Sequence, residues 1–267
     1  MNKQNNKFFT IHMETNPHRL FLLGGYDLEM LTIKQILERM EGCFIMDKHL
    51  QWDYARLSVY WNELSQFAGY AIYGIELQED ITPPQNYHRI DHHNDWADKP
   101  SSLEQVAEIL GLTLSPYQKL VAANDKGYIP AMKALGASED EIDEIRRKDR
   151  AAQGVTAEDE ALAEKAMVEN LYIYKGVTVV KAFTSRFSPI CDRLYPYQRL
   201  LIYTDTEWIF YGDGKSKLVR LLAEDISQKK VFYGGGDNGY IGTVKNVYNK
   251  TEIEQFVNKI IKEYEHL

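Results

Sequence analysis

The chain has 267 residues, 44% of them apolar and 26% charged, which supports packed cores and excludes a disordered composition. Its formal charge of −8 excludes the extended cationic surface that non-specific nucleic-acid binding requires. Cys43 and Cys191 lie far apart and read as free thiols, no apolar run approaches the roughly 20 residues of a membrane span, and the first residues lack the apolar core of a signal peptide, so a cytoplasmic protein is expected.

In chain order, the apolar run Leu20 to Leu23 ends at Gly24-Gly25, and Leu28, Leu31, Ile36, Leu37 and Met40 then recur at helical spacing. Cys43 to Met46 is a second short strand. Trp52 to Phe67 reads as a helix, Ala71 to Leu77 as a buried strand, and Tyr87 to Ile90 as one more strand. Strands alternating with helices predict a parallel sheet covered on both faces, with ligands gathered at the carboxyl ends of its strands. Ser101 with Glu104 forms a capping box, followed by the stripe Leu103, Val106, Ala107 and Leu110 and a stop at Gly111. Ser138 with Glu141, and Thr251 with Glu254, repeat the device.

Between Ser138 and Asn170 the chain is rich in charge and alanine, with a break at Gly154. This predicts a solvated pair of helices containing the connection between two domains, with Arg146 to Arg150 on a solvated face. From Leu171 onward the character changes to β-rich runs, Val177 to Val180, Leu200 to Tyr203, Trp208 to Tyr211 and Val231 to Tyr233. They lead to a final helix with Ile253, Phe256, Val257, Ile260, Ile261 and Tyr264 on one side. The fold class expected is α/β: an N-terminal parallel sheet flanked by helices over residues 1–170, then a smaller α+β domain over residues 171–267.

Asp91-His92-His93 follows the Tyr87–Ile90 strand, which places two imidazoles at the rim of the sheet. A neutral ring nitrogen there binds a divalent metal, and a protonated neighbour contacts a phosphate oxygen. A polar loop leading into a helix is the alternative. The stretch from Tyr87 to Gly111 resembles the signature motif of the DHH phosphoesterase superfamily: a strand, Asp-His-His, a polar loop and a capped helix. Leu120 to Gly127 resembles that family's fourth motif, a small-residue helix delivering Asp125, and Gly234 to Gly242 resembles the glycine-rich loop of its associated substrate domain.

The resemblance implies one or two Mn²⁺ or Mg²⁺ ions and hydrolysis of a phosphate ester or phosphodiester in an interdomain cleft. By position, His92 is implied as a metal ligand, Asp125 as another, His93 as a phosphate contact and Asp91 as the group that orients its neighbour. The chain departs from the pattern in its first motif, where Leu23 stands at the place of a His and Asp27 with Glu29 stands for an Asp pair. N-terminal charges complementing a helix dipole are the plainer reading of those two acids. In the second motif Glu76 takes the place of a bridging Asp, with Asp47 and Asp80 as rivals. Asp237 stands where the glycine-rich loop has a His, while Gly235, Gly236 and Asn238 offer backbone to an anion and Arg186 and Arg193 offer guanidinium contacts. The implied partner is a small phosphate-bearing substrate such as a nucleotide, cyclic dinucleotide or short oligonucleotide, with no membrane and no long duplex. A homodimer stays open, and so do a degenerate nucleotide-binding protein and an interaction subunit.

Overall fold

Leu20, Phe21, Leu22 and Leu23 are all 2% exposed or less, so the first strand, β1 (Arg19–Leu23), is covered on both faces. The computed structural model describes residues 18–236 and 239–264. The chain divides into two units, Met1–Gln153 and Gly154–Leu267.

In the first unit β1 is followed by α1 (Leu28–Leu37), β2 (Cys43–Asp47), α2 (Trp61–Gln66), β3 (Ala71–Ile75), β4 (Tyr87–Ile90), α3 (Ser102–Leu110), α4 (Pro116–Ala134) and α5 (Glu139–Ala152). The four strands form a parallel sheet in the order β2-β1-β3-β4. Leu20 and Leu22 pack with Leu57, Tyr60, Leu64 and Ile72 on one face. Phe21 points the other way by alternation and stacks on Tyr73, which stacks on His88. The chain leaves β1 toward β2 on one side and returns to β3 on the other, so the crevice at the carboxyl ends of β1 and β3 is a topological switch point.

The Trp52–Phe67 stretch is not one helix. Two single 3₁₀ turns, Trp52–Tyr54 and Leu57–Tyr60, precede α2. Backbone between them is committed elsewhere: Leu57 N donates to Gln78 O at 2.9 Å and Gln78 N donates to Ala55 O at 2.8 Å. Strand β3 also stops short of Leu77, because Glu76 turns to a φ of +53°.

The second unit contains α6 (Ala157–Asn170), β5 (Leu171–Tyr174), β6 (Val177–Lys181), α7 (Ser188–Leu194), β7 (Arg199–Tyr203), β8 (Trp208–Gly212), α8 (Lys215–Leu221), α9 (Ala223–Ser227), β9 (Val231–Gly234), β10 (Tyr240–Thr243) and α10 (Lys250–Glu263). Its mixed sheet runs β5-β6-β7-β8-β10-β9. Alternation along β7 divides the core: Leu200 and Ile202 pack with α6 and α7, whereas Leu201 faces α8 and α10. The cap of α10 is Asn249 with Glu252 rather than Thr251 with Glu254, because the Asn249 Oδ1 reaches the Glu252 N–H at 3.1 Å.

The charged helices α5 and α6 fall in different units, since α5 packs on α1 and α4 while α6 packs on α7 and β6. The Arg146–Arg150 stretch is not a solvated face: Arg146, Asp149 and Arg150 are buried beside Ile142 and Ile145. No helix among the described residues is long and apolar enough to cross a membrane.

Candidate metal centre

Three neighbouring strands each end in a buried acid or imidazole. After β1, the Gly24-Gly25 turn leads to Asp27, whose Oδ1 accepts the Met30 N–H at 2.8 Å and caps α1. Gly24 is required here, because a Cβ would overlap the Ile75 and Glu76 carbonyls at the end of β3. Glu29, 2% exposed, sits in the first turn of α1. After β3 comes Glu76, held in the left-handed region that a non-glycine residue rarely occupies. After β4 come Asp91, His92 and His93.

His92 is the hub. Its Nε2 lies 2.6 Å from Asp125 Oδ2, 3.4 Å from Glu76 Oε1 and 3.6 Å from Glu29 Oε2. Donor atoms of Glu76, His92, His93 and Asp125 all lie within 4.8 Å of one another. Asp125 arrives from α4. Asp27 and Glu29 stand beside this group of four rather than within it, Asp27 close enough to feel the charges of Asp125 and Glu76.

The N-terminus of α3 orders two of the acids. Ser101 caps the helix, Ser102 Oγ donates to Glu76 Oε1 at 2.6 Å, and Leu103 N donates to Glu29 Oε1 at 3.0 Å. Helix N-termini favour negative charge, so the two acids are held by backbone dipole as well as by hydrogen bonds. Behind them, Arg146 Nη1 donates to Asn124 Oδ1 at 2.9 Å and to Asp149 Oδ2 at 2.8 Å, and Asp149 Oδ1 accepts the Leu28 N–H at 3.3 Å. Helix α5 is thereby tied both to the start of α1 and to the residue before Asp125.

Burial, then the charges of Asp125 and Glu76, hold the Asp27 carboxyl well above its ordinary range. Burial likewise raises Glu29, with His92 opposing and Asp125 and Glu76 adding. Burial alone would lower the His92 imidazole, but the carboxylates of Asp125, Glu29 and Glu76 outweigh it and push it up to about 12. Outside this knot, His93 is raised chiefly by Asp91, whose Oδ1 lies 3.3 Å from Nδ1 and accepts the His93 N–H at 2.9 Å. Asp91 therefore orients His93, whose ring stays half-exposed.

The fit to a cation can be tested on the donors themselves. Glu29 Oε2, His92 Nε2 and Asp125 Oδ2 are buried without a hydrogen-bond partner, although their separations are short. Buried polar atoms that approach one another without bonding are costly unless a shared positive centre satisfies them. Carboxylate oxygen and imidazole nitrogen are the donors that Mn²⁺ and Mg²⁺ accept. The residues present fit such ions.

No protein-family model matches the sequence, and a search of curated proteins finds no significant match. Among solved structures, the DHH domain of a member of a ribosomal-protein family superposes with a TM-score of 0.51 at 12% identity, over 92% of this chain and 87% of that one. The chain has the DHH-domain fold. Two further structures align less closely. The pGpG-specific phosphodiesterase PggH of Vibrio cholerae has a TM-score of 0.48 at 11% identity, over 92% of this chain and 98% of that one. RecJ of Thermus thermophilus, in complex with Mg²⁺, has a TM-score of 0.44 at 12% identity, over 93% of this chain and 50% of that one.

On the DHH fold the expected residues separate into two sets. Asp27, Glu29, Glu76, Asp91, His92, His93 and Asp125 converge in the first unit. The rival acids are spent elsewhere, Asp47 on Lys34 and Asp80 on Ser58. Leu23, at the place of the missing His, is buried in the core, and its carbonyl accepts the Tyr60 hydroxyl at 2.6 Å. Arg186, Arg193, Gly235 and Gly236 belong to the second unit. Arg193 is paired there with Glu160 and Glu164, and Arg186 is exposed. Gly235 and Gly236 turn the β9–β10 hairpin, with the Gly234 and Gly236 carbonyls accepting from Lys215. Asn238 and Asp237 lie outside the described residues.

Sequence reasoning missed Ser102, Asn124, Arg146 and Asp149. The doubled serine after Pro100 was a signal for the first, since one hydroxyl caps the helix and the other is left for a neighbour. For the last two, Ile142 and Ile145 mark the buried side of α5, and positions 146 and 149 fall on it by helical spacing.

Proposed function

We propose that the protein is a metal-dependent phosphoesterase acting on a nucleotide, cyclic dinucleotide or short oligonucleotide. The observation that carries this reading is the convergence of Glu76, His92, His93 and Asp125 at the carboxyl ends of the strands, with buried donor atoms that form no hydrogen bond. Glu76, His92 and Asp125 would hold the ions, with Asp27 and Glu29 completing the negative wall. Four ionised carboxylates, Asp27, Glu29, Glu76 and Asp125, carry −4, which two divalent cations with +4 balance when His92 is neutral. When bound, such cations supply a water of lowered pKa and positive charge for the phosphate oxygens.

The chain's own groups do the rest. Ser102 fixes the rotation of the Glu76 carboxylate, and the α3 N-terminus fixes Glu29. Asp91 Oδ1, 3.3 Å from Nδ1, orients the His93 ring, whose Nε2 when protonated would donate to a phosphate oxygen.

The test is hydrolysis by the purified protein with Mn²⁺ or Mg²⁺ across a panel of phosphate mono- and diesters. Turnover is expected, and is expected to vanish in His92→Ala and Asp125→Ala proteins that keep their circular dichroism. No turnover of any ester would overturn the reading. A second reading, a DHH-fold protein that binds nucleotide without turning it over, rests on Leu23, which gives core packing where a ligand would stand. Elemental analysis separates the two: metal near stoichiometry favours the enzyme, and nucleotide binding without metal favours the binder.

A further inference from the structure

Beside the metal-ligand group an indole is seated with half its surface in solvent. Trp52 is 46% exposed, on the 3₁₀ turn between β2 and α2. Its six-membered ring lies where a Cβ on Gly25 would be, so residue 25 must be glycine for the indole to rest there. On another side the indole meets the His93 ring edge-to-face, with centroids 6.0 Å apart and planes at 63°. The His93 ring in turn lies 4.2 Å from that of His92. A large apolar side chain ordinarily gains by burial, and this one is instead fixed by two neighbours of the site and left half uncovered. Tyr26, next to Gly25 and 39% exposed, packs on His49 and extends the aromatic rim.

A flat aromatic surface adjoining a phosphate contact suits a planar base attached to that phosphate. Stacking on an aromatic side chain is tolerant of sequence, because every base has a π-face. It also suits a chain of net charge −8, for which long-range attraction does not favour holding a polyanion. The geometry points to Trp52 as a nucleobase-stacking platform: the substrate is a nucleotide or short oligonucleotide whose base lies on the indole while its phosphate meets His93. The inference rests on the phosphoesterase reading only for the position of the phosphate.

The experiment compares 5′-phosphorylated dinucleotides with an abasic counterpart carrying the same phosphates, using the full chain in Mn²⁺. Binding is read by equilibrium dialysis and turnover by product analysis. Trp52→Ala and Trp52→Leu are expected to weaken dinucleotide binding about tenfold or more, to leave the abasic ligand unchanged, and to keep circular dichroism. Trp52→Phe is expected to retain most of the affinity. Equal losses for both ligands, a Trp52→Leu protein that binds as the wild type does, or a wild type that holds the dinucleotide no tighter than the abasic ligand would each overturn the platform. Base-dependent binding that needs Trp52, without hydrolysis, upholds the platform and defeats the phosphoesterase reading. Hydrolysis of both ligands, indifferent to Trp52, does the reverse.

Discussion

Glu29 Oε1 accepts the backbone N–H of Leu103 at 3.0 Å, across 74 residues of sequence, while its Oε2 is buried without a hydrogen bond 3.6 Å from His92. One oxygen ties α1 to the start of α3 and the other faces the acidic cluster. A Glu29→Gln protein can keep the tether and lose only the charge. Its Mn²⁺ affinity is expected to fall, while the metal-free protein melts at the same temperature or higher. Calorimetric Mn²⁺ titration together with thermal melts in chelator checks both; a large drop in melting temperature would show that the charge supports the fold.

Ser102 supplies the hydrogen bond that orients Glu76. Groups that orient a metal ligand typically contribute about 10–100-fold in metal affinity. Ser102→Ala is expected to weaken Mn²⁺ binding within that range and to spare the capping box, which belongs to Ser101 and Glu104. Equilibrium dialysis against Mn²⁺ measures it, and an unchanged affinity would remove Ser102 from the site.

Arg146 and Asp149 form a buried pair, with side chains 11% and 7% exposed. Removing one partner of such a pair costs about 3–5 kcal/mol, because the other charge stays buried. Arg146→Met is therefore expected to lower stability by about that amount in urea unfolding. The double variant Arg146→Met/Asp149→Leu is expected to cost less than the sum of the single changes. Additive losses would mean that the two side chains act independently.

Asp27 and Glu29 have carboxyls raised from 3.8 and 4.5, and His92 an imidazole raised from 6.5 to about 12. In each case the folded chain binds a proton more tightly than the unfolded chain. That stabilisation is full below the unfolded values and fades as pH climbs toward the folded ones. Asp47 and Asp91 are shifted down, so their contribution is complete well below neutrality and adds no slope there. The melting temperature in chelator is expected to fall steadily from pH 6.5 to 9. Saturating Mn²⁺ is expected to flatten the decline, since the cation replaces the protons. A chelated protein whose melting temperature rises over that interval would contradict the cluster's electrostatics.

Much of this site was open to sequence reasoning because its residues sit at punctuation marks. Asp27 follows a Gly-Gly turn, and His92 and His93 follow a strand. Ser101 opens a capped helix, where short-range chemistry alone fixes the backbone. The parallel sheet was legible for the same reason, since Leu20–Leu23 and Ala71–Ile75 are apolar on both faces. What failed depends on distant partners. The Trp52–Phe67 stretch has helical spacing, yet Gln78 claims its backbone. Arg146 and Asp149 look solvated among other charges, and only their contacts with Asn124 and Leu28 show why they are inside.

The backbone of Glu76 sets two demands against each other. A φ of +53° suits Asp or Asn far better than Glu, so shortening the side chain to Asp would relax the main chain at the end of β3. The same change would withdraw the carboxylate by one methylene from both Ser102 and His92. At this position an unstrained main chain and a longer-reaching carboxylate cannot be had in one residue. The longer acid marks where the chain has given up conformational ease in exchange for reach.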